Sequence, residues 1–277
     1  MSDKISVFGS TGFIGSRFCD KYSEDVIKIN RQETVPQSKN ILYLISTVDN
    51  YNVFDNTTLD IETNLIHLMK VLENCKNKDV TFNFVSSWFV YGNTDLPAKE
   101  TSSCKPKGFY SITKYTAEML IESFCKTFNI KYKIIRLGNV IGNNDTKASK
   151  KRNALQYLIN ELKNDRPIEL YNDGKFYRDY ISVSDTVDGL KFLVDNGENQ
   201  EVYNLSNGFP ILFCDLINYA HKKLNSKSKI GKTNASNFHI IVQAELMYLD
   251  ISKIKALGFS PKDYIYDTID EIISFKQ

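Results

Sequence analysis

Short apolar runs recur along the chain and alternate with segments whose apolar residues repeat every three to four positions. The apolar runs predict strands at 5–8, 26–29, 41–45, 80–85, 132–137 and 202–205. The segments between them have helical spacing, most clearly at 60–73 and 109–128. Runs with few polar residues are typical of parallel strands that are buried on both faces. The pattern therefore predicts an α/β fold, a doubly wound parallel sheet of the Rossmann type.

The first strand runs into a glycine turn and then into an amphipathic helix. Gly9, Gly12 and Gly15 stand three residues apart in this turn. Glycine lets such a turn close and lets the backbone approach a phosphate, and the helix start offers free N–H groups. The stretch predicts a dinucleotide site. The spacing GxxGxxG differs from the usual GxGxxG, so plain turn chemistry is the alternative.

The second strand ends at Asn30 and Arg31, the position that selects the cofactor in dinucleotide folds. An acid at this position binds the ribose hydroxyls of NAD(H), whereas a cation favours a 2′-phosphate. Arg31 therefore favours NADP(H), with NAD(H) as the alternative if Arg31 is one more solvated surface charge. The segment from Arg31 to Ile41 is too short for a helix and a strand, so the usual third strand is predicted to be missing or vestigial.

Polar residues follow two of the buried strands. Ser46 and Thr47 end one strand, and Ser87 ends the next, at the edge where ligands bind in open α/β sheets. Tyr110 and Lys114 follow on one face of the helix at 109–128. The same Tyr–Lys gap occurs at 171–175 and 219–223, so the position of the pair after a serine-bearing strand carries the prediction.

The tail of the chain alternates short strands and helices and predicts a smaller C-terminal α/β lobe that holds the substrate. We assign 1–138 and 178–204 to the dinucleotide-binding domain, and 139–177 and 205–277 to the substrate lobe. A basic stretch lies at the start of that lobe, with cations at Lys147, Lys150, Lys151 and Arg152. Such a cluster is either a solvated face or, near a cleft, a surface that faces a diphosphate.

Composition excludes several classes of function. The 277 residues are 42% hydrophobic and 25% charged, as in ordinary globular proteins, and the net charge of +2 gives no case for nucleic-acid binding. Five scattered cysteines predict a reduced, cytoplasmic protein. No apolar run approaches the roughly 18 residues of a membrane span. We predict no metal site and no membrane partner.

Four motifs in order resemble the extended short-chain dehydrogenase/reductase family, which comprises nucleotide-sugar epimerases, dehydratases and ketoreductases. They are VFGSTGFIG, VSSWFVYG, YSITK, and RLGNVIG followed by RDYISVSD. The resemblance covers nearly the whole chain. It implies an NAD(P) cofactor, a nucleotide-sugar substrate, a role in polysaccharide biosynthesis and a homodimer formed by the helices that begin near Asp60 and Tyr110.

The resemblance also implies roles for individual residues. The catalytic residues are Ser87, Tyr110 and Lys114. The cofactor-binding residues are Gly9, Thr11, Gly12, Phe13, Ile14, Gly15, Asn30, Arg31, Ser46, Tyr110 and Lys114. The substrate-binding residues are Ser87, Trp88, Asn139 and Arg178. Asn64 falls on the asparagine that starts a central helix, and His67 replaces a frequent glycine, which we interpret as a change on the helix surface.

The residue types suit hydride transfer at a sugar carbon, because the attached oxygen must gain or lose a proton. A free tyrosine titrates near pH 10. We expect the ammonium of Lys114, together with the positive nicotinamide ring of the cofactor, to favour the phenolate and lower the pKa of Tyr110. The Ser87 hydroxyl can fix the same substrate oxygen.

One departure from the family pattern argues against one of the family's reactions, dehydration. Dehydratases carry Asp-Glu directly after the catalytic Ser or Thr, but Trp88 and Phe89 stand here and cannot transfer a proton. The first hypothesis is an NADPH-dependent C4 ketoreductase of a nucleotide-linked 4-keto-6-deoxyhexose. The alternative is an NAD-dependent nucleotide-sugar C4 epimerase. A binding protein that has lost turnover is disfavoured by the intact Ser87, Tyr110 and Lys114.

Overall fold

A computed structural model describes residues 2–275. In the first half of the chain the strands are β1 (Ser2–Phe8), β2 (Val26–Ile29), β3 (Ser38–Tyr43), β4 (Thr81–Ser87) and β5 (Lys131–Leu137). The helices are α1 (Phe13–Lys21), α2 (Leu59–Ile61), α3 (His67–Glu73) and α4 (Phe109–Thr127). A π-helical turn, Glu62–Ile66, joins α2 to α3, and 3₁₀ turns lie at Ser23–Asp25, Asn50–Phe54 and Trp88–Val90.

The second half contains shorter strands. They are β6 (Asn139–Ile141), β7 (Ile168–Tyr171), β8 (Tyr177–Arg178), β9 (Tyr180–Ser182), β10 (Glu201–Leu205), β11 (Ile211–Leu212), β12 (Ile230–Thr233) and β13 (Leu246–Met247). The helices are α5 (Ala154–Lys163), α6 (Val183–Asn196), α7 (Phe213–Leu224), α8 (Asn237–Val242), α9 (Ser252–Ala256) and α10 (Ile265–Ser274). A 3₁₀ turn lies at Asn172–Gly174.

Six parallel strands form the main sheet in the order β2-β1-β3-β4-β5-β10. The predicted fold class, an α/β fold with a parallel sheet, is confirmed. Strand β2 forms one edge of the sheet. In the usual dinucleotide fold a further strand pairs with this edge. Among residues 2–275 no strand does so, in agreement with the short connection after Arg31. The chain order reverses at β1, which has β2 on one side and β3 on the other. Ligands bind in the crevice at such a reversal.

Apolar cores cover both faces of this sheet. On one face, residues such as Phe8, Tyr43 and Phe82 pack with Leu68 of α3 and Ile121 of α4. A second core on the other face joins strand residues to α1 and α6. The sheet is thus doubly wound, and its strand ends are fixed between two layers of helices.

The C-terminal lobe is built from short strand pairs and helices. Strand β6 pairs with β9, β7 pairs with β12, and β8 pairs with both β11 and β13. Helices α5, α7 and α10 pack together over a third apolar core. This lobe stands beside the carboxyl ends of the main sheet, because β5 continues directly into β6. Across residues 2–275, none of the helices has the length and apolar character needed to cross a membrane.

Candidate active site

The glycine turn has the shape that a bound phosphate requires. Gly9 has φ +85°, a conformation that side chains disfavour, and the N–H of Gly12 donates to the Gly9 carbonyl over 3.0 Å. A Cβ on Gly15 would lie 2.1 Å from the Gly9 oxygen, so the turn closes tightly onto α1. Gly12 caps α1 without a side-chain hydrogen bond, which leaves the first N–H groups of the helix for a ligand. The backbone therefore fits a dinucleotide pyrophosphate.

A cavity of about 850 Å³ extends from this turn past α4 into the C-terminal lobe. It is lined by every residue predicted for the site, namely Gly9, Thr11, Gly12, Phe13, Ile14, Gly15, Asn30, Arg31, Ser46, Ser87, Trp88, Tyr110, Lys114, Asn139 and Arg178. Residues from four strand ends and two lobes thus meet in one place. Their individual roles in binding and catalysis stay predictions.

Tyr110 lies in the first turn of α4 and is 8% exposed. Burial raises the pKa of Tyr110 to about 12, although hydrogen bonding to Ser87 lowers it, and the carboxylates of Asp60 and Asp49 raise it further. The expectation that Lys114 lowers this pKa is therefore wrong for the protein's own groups. Desolvation of the phenolate outweighs the other influences, so Tyr110 is a neutral phenol at physiological pH.

Lys114 lies one turn further along α4 and is 2% exposed. Its Nζ donates to the carbonyl of Val85 over 2.6 Å and lies 4.0 Å from the centroid of the Phe84 ring. Burial lowers the pKa of Lys114 to about 7, and the carboxylate of Glu118 opposes this shift. The charge of Lys114 is therefore sensitive to small changes around it near neutral pH.

Asn64 connects the end of β3 to the catalytic helix. Its Oδ1 accepts hydrogen bonds from the Ser46 hydroxyl and the Thr47 N–H over 3.0 and 2.9 Å. Its Nδ2 donates to the hydroxyls of Thr47 and Thr113 over 2.8 and 2.9 Å. The π-helical turn carries this residue, and such turns are frequent at functional sites. The side chain of Asn64 thereby fixes the distance between the Ser46 strand end and α4.

Trp88 and Asn139 form the wall next to Ser87. The indole N–H donates to Oδ1 of Asn139 over 3.2 Å, and Nδ2 of Asn139 donates to the Asp179 carbonyl over 2.9 Å. The Trp88 ring stacks on Phe89 with centroids 3.9 Å apart. These contacts hold a rigid apolar surface beside the phenol of Tyr110, whose ring meets Phe89 edge-on at 6.0 Å.

Arg178 is a buried cation at the lobe side of the cavity. Its guanidinium donates to the carbonyls of Tyr177 and Glu245 and, over 3.3 Å, to Oε1 of Gln243. Among the described residues no carboxylate pairs with it, and burial lowers the pKa of Arg178 to about 10. A buried guanidinium without a counter-ion is suited to an anionic ligand such as a diphosphate.

The end of β2 is contacted by His67, which the sequence analysis did not predict. His67, expected to be a change on the helix surface, is partly exposed and also makes two contacts that the sequence does not indicate. Its ring is half-buried, with Nδ1 3.0 Å from the Tyr43 hydroxyl and Nε2 3.2 Å from the Arg31 carbonyl. Asn30 donates to Glu33 over 2.8 Å. The backbone at Arg31 is thus anchored, and its exposed side chain lines the cavity.

Sequence reasoning also missed a contact between the two sides of the cavity. The Tyr51 hydroxyl lies 2.6 Å from Nδ1 of His239, whose ring packs on Tyr171 with centroids 4.4 Å apart. All three line the cavity, as do the cations at Lys147, Lys150, Lys151 and Arg152. No local pattern marks Tyr51 or His239, because 188 residues separate them in the chain.

Comparison with known proteins identifies relatives over most of the chain. The model of the NAD dependent epimerase/dehydratase family matches residues 41–206. A dTDP-4-dehydro-6-deoxyglucose reductase of Escherichia coli is 27% identical over 241 residues, 85% of this chain and 74% of that protein. A putative UDP-glucose 4-epimerase of Methanocaldococcus jannaschii is 25% identical over 306 aligned residues, 98% of this chain and 97% of that one.

Solved structures share this fold. A UDP-N-acetylglucosamine 4-epimerase from Methanobrevibacter ruminantium, solved in complex with UDP-N-acetylmuramic acid, superposes with a TM-score of 0.89. Its sequence is 20% identical, and the match covers 99% of this chain and 98% of that one. Because the family match spans more than half of the chain and includes the strand and helix that carry Ser87, Tyr110 and Lys114, this protein belongs to the NAD dependent epimerase/dehydratase family, enzymes of the short-chain dehydrogenase/reductase type.

Proposed function

We propose that the protein is an NADPH-dependent ketoreductase that acts on C4 of a nucleotide-linked 4-keto-6-deoxyhexose. The observation that carries this proposal is the cavity in which Arg31, Ser87 and Tyr110 meet beside the stacked rings of Trp88 and Phe89. Burial raises the pKa of Tyr110, which agrees with a phenol that donates its proton. Reduction of a ketone needs an acid at the carbonyl oxygen, whereas oxidation of an alcohol needs a base.

Each catalytic side chain has a defined task in this reaction. The bound cofactor supplies the hydride. Tyr110 donates its proton to the C4 oxygen, and the Ser87 hydroxyl donates a hydrogen bond to the same oxygen and fixes its position. Lys114, as an ammonium, stabilises the phenolate that Tyr110 becomes.

The wall beside Ser87 supports a keto-sugar reductase over a dehydratase. Trp88 and Phe89 occupy the places of the dehydratase Asp-Glu pair, and their stacked rings offer no group that could move a proton between C5 and C6. A flat apolar surface is suited to the methyl group of a 6-deoxyhexose. The reductase name of the Escherichia coli relative agrees with this substrate class.

Arg31 supports NADP(H) as the favoured cofactor, with NAD(H) as the alternative. Its side chain is exposed at the cavity, and among residues 2–275 no carboxylate lies within 4.0 Å of it. A 2′-phosphate would give this guanidinium a bidentate partner. Glu33, the nearest acid in sequence, is engaged by Asn30 instead.

The second candidate is an NAD-dependent C4 epimerase. It is favoured by the putative UDP-glucose 4-epimerase relative, which this chain matches over 98% of its length. In that reaction Tyr110 would first act as a base, so its raised pKa would have to fall in the complex with an oxidised cofactor. Arg31 at the cavity favours an exchangeable NADP(H), and we therefore rank the reductase first.

We further propose the division of the chain that its sequence predicts. Residues 1–138 and 178–204 would hold the cofactor, and 139–177 and 205–277 would hold the nucleotide sugar. Arg178 and the basic cluster at 147–152 would face its diphosphate, supported by their position at the cavity. The proposed homodimer uses the face of the π-helical turn and α4, where large apolar side chains are exposed, among them Ile66 at 50%, Ile112 at 45% and Met119 at 48%.

The cofactor content of the purified protein separates the two candidates. The protein is denatured, and the released nucleotides are identified and counted. A reductase is expected to release little cofactor, to gain thermal stability with NADPH, and to oxidise NADPH when given nucleotide-linked 4-keto-6-deoxyhexoses. Release of one NAD per chain, with no NADPH oxidation, would contradict the reductase and support the epimerase.

A further inference from the structure

Glu118 is a buried carboxylate for which the reaction described above has no use. It lies on α4 one turn after Lys114, and its side chain is 2% exposed. Tyr110, Lys114 and Glu118 therefore follow at four-residue spacing on the face of the helix that meets the sheet. A carboxylate is kept at such a position only with strong partners, since burying an unpaired charge is costly.

Three consecutive residues of β4 meet these three turns of α4. The Val85 carbonyl accepts the hydrogen bond from Lys114 over 2.6 Å. The Ser86 hydroxyl donates a hydrogen bond to Oε1 of Glu118. Ser87 lies close enough to Tyr110 to lower the pKa of its phenol. The helix and the strand are thus joined by two hydrogen bonds, from Lys114 to Val85 and from Ser86 to Glu118.

Arg136 of β5 completes the set of contacts. It stands opposite Ser86 in the strand register, and its NH2 and Nε donate to Glu118 over 2.7 and 3.2 Å. The Arg136 side chain is 6% exposed, and its NH1 donates to the Glu100 carbonyl over 3.2 Å. Two strands therefore hold the carboxylate of Glu118 in one position.

We propose that Glu118 is a positioning residue of the reaction, which holds the part of α4 that carries Lys114 against β4 and β5 and sets the charge that faces Lys114. The inference rests on the proposed function for its kinetic consequences. Lys114 is packed between α4 and β4, with β5 behind. The charged groups that these elements present near Lys114 are Glu118 and Arg136, which form an ion pair with each other. Loss of the carboxylate alone would leave Lys114 with burial and with an unpaired cation nearby, and both favour the neutral amine.

The test compares three substitutions on or beside the same helix. Glu118→Gln removes the charge and keeps the shape. Glu122→Gln makes the same chemical change one turn further along α4, at an exposed position, and serves as the matched control. Ser86→Ala removes the hydrogen bond to Glu118 and keeps both charges. Because Glu118→Gln leaves Arg136 unpaired and could unfold the protein, Glu118→Gln with Arg136→Gln is made as well.

The first measurement needs no cofactor. The protein is labelled with ¹³C-lysine, the signal of Lys114 is assigned by its loss in Lys114→Met, and its titration is followed by NMR. We expect Glu118→Gln to lower the midpoint of Lys114 by about one pH unit, as expected for the loss of a nearby opposite charge. The double variant loses both charges of the ion pair, so its midpoint should lie between those of the wild type and of Glu118→Gln. Glu122→Gln should leave the midpoint unchanged. An unchanged midpoint in a folded Glu118→Gln variant, or in the double variant where Glu118→Gln does not fold, would overturn the proposal, whatever reaction the enzyme performs.

The second measurement is the pH dependence of kcat/KM with NADPH. At high pH, activity should fall as Lys114 loses its proton. In Glu118→Gln the midpoint of this fall should lie about one pH unit lower than in the wild type. At a fixed pH above both midpoints, the variant should therefore have about tenfold lower kcat/KM. Ser86→Ala should lower kcat severalfold with an unchanged KM for NADPH. A fall in activity whose midpoint stays in place while the NMR midpoint moves would overturn the kinetic part. Absence of turnover in the wild type would count against the proposed function alone.

Discussion

Lys114 donates a hydrogen bond of 2.6 Å to the carbonyl oxygen of Val85, so the amine of the catalytic helix is held by the strand that ends in Ser87. This contact fixes the helix and the strand end to each other before any ligand binds. It also places a titratable group in a dry position, where burial lowers the pKa of Lys114 to about 7. We therefore expect stability to depend on pH through Lys114, the residue that is also predicted to act in the site.

Lys114→Met should remove a part of the pH dependence of stability. Between the folded pKa of about 7 and the ordinary value of 10.5, the unfolded chain binds the proton that the folded chain releases. The free energy of unfolding of the wild type should therefore rise with pH across this window, by up to roughly 5 kcal/mol from this group. The variant should be more stable than the wild type at pH 6, with the difference vanishing toward pH 10.5, as measured by urea denaturation.

Lys133 offers the matched control for this prediction. It is also buried, donates to the carbonyls of Leu193 and Val194, and has its pKa lowered by burial to about 8. It lies outside the cavity. Lys133→Met should also reduce the rise of the unfolding free energy with pH, but it should leave NADPH binding unchanged. Lys114→Met should weaken NADPH binding. Equal loss of NADPH binding in both variants would mean that Lys114 has no specific role in the site.

Tyr110→Phe should abolish turnover and spare the cofactor site. Without the phenolic proton no acid reaches the substrate oxygen, and the loss expected for a missing general acid is roughly 10²- to 10⁴-fold in kcat. NADPH binding can be followed through Trp88, the one tryptophan of the sequence, which lines the cavity. Tyr115→Phe, on the same helix but outside the cavity, is the control and should keep wild-type activity. A Tyr110→Phe enzyme as active as this control would show that another group supplies the proton.

The parts of the site that rest on local chemistry could be predicted from the sequence. Gly9, Gly12 and Gly15 were recognisable because the turn needs glycine, and Tyr110 and Lys114 because a helix places them on one face. What escaped prediction depends on contacts between distant segments. The contacts of His67 were missed because nothing near it in sequence announces Tyr43 or the Arg31 carbonyl. The pKa of Tyr110 was misjudged because the degree of burial appears only in three dimensions.

The proposed homodimer can be tested on its apolar face. Ile112 of α4 and Ile66 of the π-helical turn are 45% and 50% exposed, on elements that pack against each other. Ile66→Glu with Ile112→Glu should weaken association by at least roughly a hundredfold, since burying an unpaired charge costs several kcal/mol. Sedimentation velocity measures this change. Ile240→Glu with Ile241→Glu, at apolar positions of α8 that are exposed to 63% and 60%, should leave the dimer intact. A wild type that sediments as a monomer at all concentrations would contradict the proposal.

Arg31→Asp should reverse the choice of cofactor. The guanidinium is proposed to bind the 2′-phosphate of NADP(H), and a hydrogen bond to a charged group contributes about 1.5–3 kcal/mol, which corresponds to roughly ten- to hundredfold in kcat/KM. The carboxylate would repel this phosphate and accept from the ribose hydroxyls of NAD(H) instead. The ratio of kcat/KM for NADPH over NADH should fall by at least this factor. Lys28→Asp, on β2 three residues before Arg31 and outside the cavity, makes the same change of charge and should leave the ratio unchanged. If both variants change the ratio equally, the preference arises from the overall charge near β2, and Arg31 does not select the cofactor.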